Sequence, residues 1–291
     1  MKYFRKQNSI INDEWYSSLI AFDEKSYYEL GLDDFRELYL MAKELNISPD
    51  QYVNKLISDN KLSVFDGDID ESLMLSPIFP QEVWAAGVTY SDSMRERQAE
   101  SDTPDVYAKV YSADRPEIFF KGTGERMQGP DEELGIREDS GWDVPESELA
   151  VVIIDGEIAG YTIGNDMSSR SIEGENPLYL PQAKVYNKSF SLGPCIVSAQ
   201  QIGDPQNLKV DLIINRKGDN VFQGESSTSQ MKRNVFELTE WLQKSNDLPP
   251  VAVLMTGTGI IPPQDFTLQE GDVVSISIEK IGTLTNKIVI V

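Results

Sequence analysis

The sequence predicts an α+β protein that is mainly β, with a small mixed N-terminal α/β domain over residues 1–76 and a larger β-rich domain over residues 77–291. Three observations carry this. From Val83 onward, short β-branched or alternating runs are separated by Gly, Pro, Asn and Asp, the pattern of strands joined by tight turns. Helix-start signals cluster before Pro77. Pro77 and Pro80 impose an extended passage between the two parts, and the boundary is placed there.

The elements follow in chain order. Residues 15–22 contain Trp15, Tyr16, Leu19, Ile20 and Phe22, a strand composition. Phe35, Leu38, Met41, Ala42 and Leu45 recur at helical spacing. A second helix has a defined start, with Ser48 as N-cap, Pro49 at the first helical position and Gln51 completing a capping box. Residues 66–71 are acidic and read as a solvated loop. In the larger domain, residues 149–154 form a continuous apolar run, as expected of a strand covered on both faces. Residues 158–163, 210–215 and 273–278 alternate or are β-branched. One helix interrupts the strands: Asn234 caps it, Glu237 occupies the capping-box position, and Val235, Leu238, Trp241 and Leu242 form its apolar face.

Composition removes several classes of function. Lys and Arg number 26, Asp and Glu 48, and His is absent, giving a formal net charge of −22. That field repels phosphate backbones and anionic membranes, so neither nucleic acid nor membrane is an expected partner. Without His, a Ser-His-Asp or Cys-His arrangement is excluded, and so is a His-ligated zinc. The single cysteine, Cys195, lies between Gly193-Pro194 and Ile196. It reads as a buried structural thiol in a reducing compartment. The N-terminal residues lack a signal-peptide pattern, and the 149–154 run is far short of a membrane span. The expected location is the cytoplasm.

The chemistry concentrates in Pro145-Glu146-Ser147-Glu148 and the apolar run that follows. Residues two apart on a strand share a face, so Glu146 and Glu148 point the same way. Like charges side by side are stable when solvated or bridged by a cation. Asp155-Gly156-Glu157 is a turn, which makes residues 149–165 a hairpin. A three-residue loop puts Asp166 opposite Glu146 on the same face; a two-residue Asp155-Gly156 turn points Asp166 away unless a bulge intervenes. Three carboxylates without His or Cys suit a hard cation, Mg²⁺ or Mn²⁺ first and Ca²⁺ as an alternative. The competing reading is an acidic, solvated hairpin edge.

Several segments resemble the fumarylacetoacetate hydrolase family. Glu146-Ser147-Glu148-Leu149-Ala150-Val151-Val152 is similar to its E-x-E-L-A-V-V segment. Gly160-Tyr161-Thr162 with Asn165-Asp166, Ser168 and Arg170 is similar to its G-Y-T…N-D-x-S-x-R segment, and Thr256-Gly257-Thr258 to its T-G-T turn. The order and spacing agree from about Val83 to the C-terminus. The resemblance implies a β-roll catalytic domain, a homodimer or homotetramer, and Mg²⁺ held by Glu146, Glu148 and Asp166. One departure is informative: Gly87-Val88-Thr89-Tyr90-Ser91-Asp92-Ser93-Met94-Arg95-Glu96 resembles G-x-N-Y-x-x-H-x-x-E, but Ser93 stands where the family's hydrolases place the His that activates water.

The dehydratase branch of the family matches further. The residues that carry this are Arg115-Pro116-Glu117-Ile118-Phe119-Phe120-Lys121, the segment from Glu175 to Gln182, and Lys184. That branch implies metal-dependent dehydration of a 2-keto-3-deoxypentonate to 2,5-dioxopentanoate, with Glu117 and Lys184 as the acid–base pair. Such chemistry needs no water nucleophile, so the absent His is no obstacle. The expected partner is therefore a small anionic 2-keto acid. Thr89, Tyr90, Arg95, Lys121 and Thr258 are the candidate substrate contacts. An acylpyruvate-type C–C hydrolase and a non-catalytic 2-keto acid binder are the alternatives.

Overall fold

Strand-forming runs dominate the computed structural model, which describes residues 1–11, 14–64, 74–91 and 109–291. The chain begins with β1 (Lys2–Ile11), β2 (Glu14–Phe22) and β3 (Tyr27–Glu29), then α1 (Phe35–Glu44), α2 (Pro49–Ser58) and β4 (Met74–Leu75). Next come β5 (Glu82–Gly87), β6 (Glu117–Gly122), β7 (Met127–Gln128), β8 (Glu133–Ile136) and β9 (Asp143–Val144). The hairpin β10 (Ser147–Ile154) and β11 (Glu157–Asp166) leads to β12 (Ser168–Ser169), α3 (Arg170–Glu175), α4 (Leu180–Lys184), β13 (Phe190–Ser198) and α5 (Ala199–Ile202). The remainder is β14 (Lys209–Arg216), β15 (Asp219–Ser227), α6 (Val235–Gln243), β16 (Val251–Met255), β17 (Val273–Ile278) and β18 (Gly282–Ile290).

Local chemistry sets the helix ends. The Asp34 side chain accepts from the backbone N–H groups of Arg36 and Glu37 and starts α1. Ser48 and Gln51 close the expected capping box on α2. Asn234 accepts from the Glu237 N–H at 2.7 Å, while the Glu237 carboxylate pairs with Arg233.

Among the described residues, one mixed sheet runs in the order β3-β2-β1-β13-β11-β10-β16-β5-β6, and a second in the order β15-β14-β17-β18-β8. Alternation along β10 divides the apolar side chains between two cores. Leu149, Val151 and Ile153 pack with Leu212, Ile214, Ile276 and Leu284 of the second sheet. Ala150, Val152 and Ile154 pack with Phe35, Leu38 and Val53 of the helices. Every residue of β10 is therefore buried, as a strand covered on both faces requires.

The first sheet curls. After β6, a single 3₁₀ turn (Gly124–Arg126) leads into β7, which pairs in parallel with β13 through Phe190↔Met127. The end of β6 thus comes close to β13, and a Cβ on Gly122 would lie 2.8 Å from the Phe190 ring. This curl brings Lys121 across to the end of β11.

The mainly β, α+β class matches the expectation, and two elements differ from it. β1 was not foreseen: it carries Lys2, Arg5 and Lys6 and has only modest apolar alternation, yet it pairs with β2, β4 and β13. The larger domain also holds more than one helix, because α3, α4 and α5 span six, five and four residues, too short to show a helical period. The division expected at residues 76/77 falls between β4 and β5, and the first sheet runs across it through β1 and β13. The acidic run at residues 66–71 lies outside the described residues.

Candidate metal centre and active site

The hairpin turn decides the geometry of the site. Asp155 (φ 48°) and Gly156 (φ 80°) both take left-handed backbone, the conformation of a two-residue turn matched to strand twist. Ile154 pairs with Glu157 and Ile153 with Ile158, then a bulge shifts the register so that Val152 pairs with Gly160 and Glu148 with Gly164. Without the shift, Asp166 would face away from Glu146. With it, the Asp166 N–H donates to the Glu146 carbonyl at 3.0 Å, and both side chains share the face of Glu148.

The carboxylates of Glu146, Glu148 and Asp166 each offer an oxygen within 4.8 Å of the others. All three are buried, which removes the solvated-edge reading. The Gly257 N–H donates to Glu148 Oε2 at 2.6 Å. Gly257 has φ +93°, and a Cβ there would stand 2.0 Å from Thr89 Oγ1, so the turn that aims this donor requires glycine.

Three cations surround the carboxylates. Lys184 Nζ lies 2.7 Å from Glu146 Oε2 and 3.3 Å from Asp166 Oδ2. Arg170 Nη2 lies 3.1 Å from Glu146 Oε1. Lys121 Nζ, fully buried, lies 2.6 Å from Asp166 Oδ1 and donates to the carbonyls of Met167 (2.9 Å) and Lys184 (2.5 Å).

Burial, then the charges of Asp166 and Glu146, pushes the Glu148 carboxyl well above the usual carboxylate range. Burial lowers Lys121 from the ordinary lysine value, opposed by Asp166. Glu117 and Glu173 also line the cleft. Three buried carboxylates within reach of one ion, offering oxygen donors alone, fit a hard divalent cation. Glu146, Glu148 and Asp166 are the residues that would hold it.

A narrow cleft opens beside this cluster, lined by Gly87, Glu117, Phe119, Glu146, Asp166, Glu173, Leu180, Lys184, Gly257 and Thr258 among others. Glu117 pairs with Gly87 across β6 and β5, and a Cβ on Gly87 would lie 2.3 Å from Glu117 Oε2. The missing side chain is what lets the carboxylate lie there.

The structure brings Glu117, Lys184 and Thr258 to the cleft with Glu146 and Asp166, and Glu148 adjoins these two in the triad. The Thr258 hydroxyl is 3.3 Å from that of Ser147. Thr89, Tyr90 and Lys121 stand behind the cleft wall. Thr89 donates to the Thr256 carbonyl at 2.7 Å. Tyr90 belongs to the inter-sheet core, where burial and then Glu148 raise its phenol above the usual range. Lys121 donates to two buried carbonyls and forms an ion pair with Asp166, so its ammonium is held inside the protein. Arg95, Ser93 and Glu96 lie outside the described residues.

Two buried residues near the site were not singled out as functional from the sequence. Arg170 reaches Glu146, and Glu173 accepts from the Ser168 hydroxyl at 3.0 Å. They sit three apart on α3 and so share a face. Their signal was the Ser-Ser pair before them, of which Ser169 caps the helix. Cys195 is buried as expected, with its thiol pushed up to about 12 by burial.

The family model described as "Fumarylacetoacetate (FAA) hydrolase C-terminal" matches residues 82–289. The chain is 46% identical over 275 residues to a "Probable 2-keto-3-deoxyxylonate dehydratase" of Haloferax volcanii, covering 93% of this chain and 94% of that protein. It is 38% identical over 290 residues to the "2-dehydro-3-deoxy-D-arabinonate dehydratase" of Saccharolobus solfataricus, covering 98% and 95%. Among solved structures, "2-keto-3-deoxy-D-arabinonate dehydratase complexed with magnesium and 2,5-dioxopentanoate" superposes with a TM-score of 0.83 at 35% identity, covering 100% of this chain and 99% of that one.

Proposed function

The chain belongs to the fumarylacetoacetate hydrolase family, and from that premise we propose that it is a Mg²⁺-dependent hydro-lyase that dehydrates a 2-keto-3-deoxypentonate to 2,5-dioxopentanoate. The observation that carries this reading is the meeting of Glu117 and Lys184 with the buried triad Glu146, Glu148 and Asp166 at one cleft. The names of the two dehydratase relatives and the solved complex with magnesium and 2,5-dioxopentanoate support it.

The chemistry divides among the residues. Glu146, Glu148 and Asp166 would hold the Mg²⁺, which when bound would supply Lewis-acid polarisation of the 2-keto group and acidify C3. Glu117 and Lys184 then share the proton transfers: one takes a proton from C3, and the other gives a proton to the departing C4 hydroxyl, which leaves as water. Loss of a C5 proton with protonation at C3 moves the double bond to C4–C5, and the resulting enol gains a proton at C4 and loses its hydroxyl proton to give the C5 aldehyde. Phe119 and Leu180 bound the cleft and keep bulk water from the reacting carbons. Lys121, held on Asp166 and on the Lys184 carbonyl, fixes the backbone that carries Lys184 rather than contacting substrate. Thr258 and Arg95 remain the candidate substrate contacts.

A homodimer or homotetramer is the assembly that the family resemblance implies. A cytoplasmic location is supported by the lone buried thiol of Cys195.

The test is a coupled assay. Each C4 epimer of 2-keto-3-deoxypentonate is supplied with Mg²⁺, and a semialdehyde dehydrogenase reports product as nicotinamide reduction. Signal with one epimer, abolished by EDTA, is the expected result. Loss of an acylpyruvate, with neither epimer consumed, would return the protein to the hydrolases.

A further inference from the structure

Glu117 starts β6, and the sheet holds that strand from one side. β6 ends the order of the first sheet, so among the described residues β5 is its one strand partner, with Glu117 opposite Gly87. Residues 113–115, which lead into the strand, are exposed and bend outside any helix or strand. Before the buried Pro116, neither burial nor a backbone ladder fixes the chain.

The approach to Glu117 is fixed from elsewhere. Arg233, 7% exposed, precedes helix α6 and turns its guanidinium onto the incoming chain. Its Nη1 donates to the Asp114 carbonyl at 3.1 Å and to Glu237 Oε1 at 2.7 Å, and its Nη2 donates to the Ala113 carbonyl. The Arg115 guanidinium carbon lies 4.6 Å from the centre of the Trp241 ring, on the same helix. Pro116 follows with its φ restricted by the ring, so little slack separates this clamp from Glu117.

The same stretch holds the opposite strand. The Lys232 N–H donates to the Thr89 carbonyl at 2.9 Å, and Met231 forms a β-bridge with Tyr90. Thr89 lies two residues beyond Gly87. Residues 231–233 thus tie down both chains that meet at the pair of Gly87 and Glu117. Burying a guanidinium is costly, and a lysine would serve Glu237 as a point charge. The planar fork of arginine reaches two carbonyls and a carboxylate together.

We propose that Arg233 is a positioning residue for the dehydration, setting the place of the Glu117 carboxylate at the cleft without touching substrate. Arg233 is not one of the residues that line the cleft. Its effect passes through the acid–base role given to Glu117, and so rests on the dehydratase reading.

The experiment measures kcat and KM for wild type, R233K, R233M, E117Q and the double variant R233M/E117Q. The substrates are the two C4 epimers of 2-keto-3-deoxypentonate with Mg²⁺, and weak variants are read at high enzyme concentration. Mg²⁺ affinity by calorimetry and thermal midpoint are measured for each protein. The expected result is a fall in kcat of about 10- to 100-fold for R233M, as displacement of a reacting group by about an ångström produces. KM and Mg²⁺ affinity stay within about twofold of wild type, and R233K loses less. In the E117Q background, R233M lowers kcat by less than about twofold more, because the group it positions is gone.

Equal fold losses from R233M with and without Glu117, a raised KM with kcat spared, or wild-type kinetics in R233M each overturn the proposal, while wild-type turnover keeps the dehydratase reading. Should R233M fail to fold, R233K decides: a lowered kcat at unchanged KM and Mg²⁺ affinity supports the clamp, and wild-type kcat overturns it. A wild type inert toward both epimers overturns the dehydratase reading and the proposal together.

Discussion

Replacing Lys121 with methionine probes the account where it departs from a simple list of substrate contacts. Methionine fills similar volume, so little cavity cost arises, and what is lost is the charge and its three donors. Asp166 loses a partner at 2.6 Å in a fully buried setting, and the carbonyls of Met167 and Lys184 each lose a donor. Removing one partner of a buried ion pair costs about 3–5 kcal/mol. Each buried carbonyl left without a donor adds about 1–3 kcal/mol, but Lys184 remains 3.3 Å from Asp166 and offsets part of the total. The expected loss for K121M is therefore about 3–5 kcal/mol. It is measured by urea unfolding in EDTA with tryptophan fluorescence.

Repeating the unfolding with Mg²⁺ should shrink the deficit, because a bound cation restores positive charge beside Asp166. In steady state, kcat should fall while KM changes little, since Lys121 positions the Lys184 backbone and does not touch substrate. A deficit under about 1 kcal/mol in EDTA, a deficit indifferent to Mg²⁺, or a KM effect with kcat spared would each refute this role.

Other consequences follow from particular side chains. E148Q removes a ligand and should weaken Mg²⁺ binding by at least about tenfold in calorimetry; wild-type affinity would contradict the triad. G87A places a Cβ within 2.3 Å of Glu117 Oε2, so the carboxylate must move. Activity should fall on the order of 100-fold while the thermal midpoint barely changes; full activity would remove Glu117 from the reaction. Asp143 is pushed up to about 6 by burial, against about 3.9 in an unfolded chain. Its folded state favours the neutral form, so the stability it contributes is present below pH ~4 and is lost as pH rises to ~6. D143N should therefore stabilise the protein at pH 8 by about 1–3 kcal/mol and leave it unchanged at pH 4; unfolding curves with no pH-dependent difference would exclude this.

The sequence made the triad legible because its signals are local. A two-residue spacing put Glu146 and Glu148 on one face, and the turn residues announced the hairpin. The bulge at Val152/Ile153 was not legible as a fact, only as a requirement, because both strands of the hairpin also pair with outer neighbours, β16 and β13. Lys121 was read as a substrate contact because a cation there would help make a locally positive pocket for an anionic substrate in a protein of net charge −22. Its inward course follows from the curl of β6 toward β13, a long-range feature with no local signature. Glu173 escaped notice because α3 is six residues long and shows no apolar period. Thr89 and Tyr90 sit in a segment resembling a substrate loop, yet their side chains bond or pack inward.

The central claim is that this cleft removes water from an intact five-carbon chain. The most direct measurement follows ¹³C-labelled 2-keto-3-deoxypentonate by NMR in the presence of protein and Mg²⁺. The expected result is one product with all five labelled carbons still bonded in sequence and a new aldehyde carbon at C5, formed with Mg²⁺ and not with EDTA. Two labelled fragments, or formation of the aldehyde at the same rate in EDTA, would contradict it.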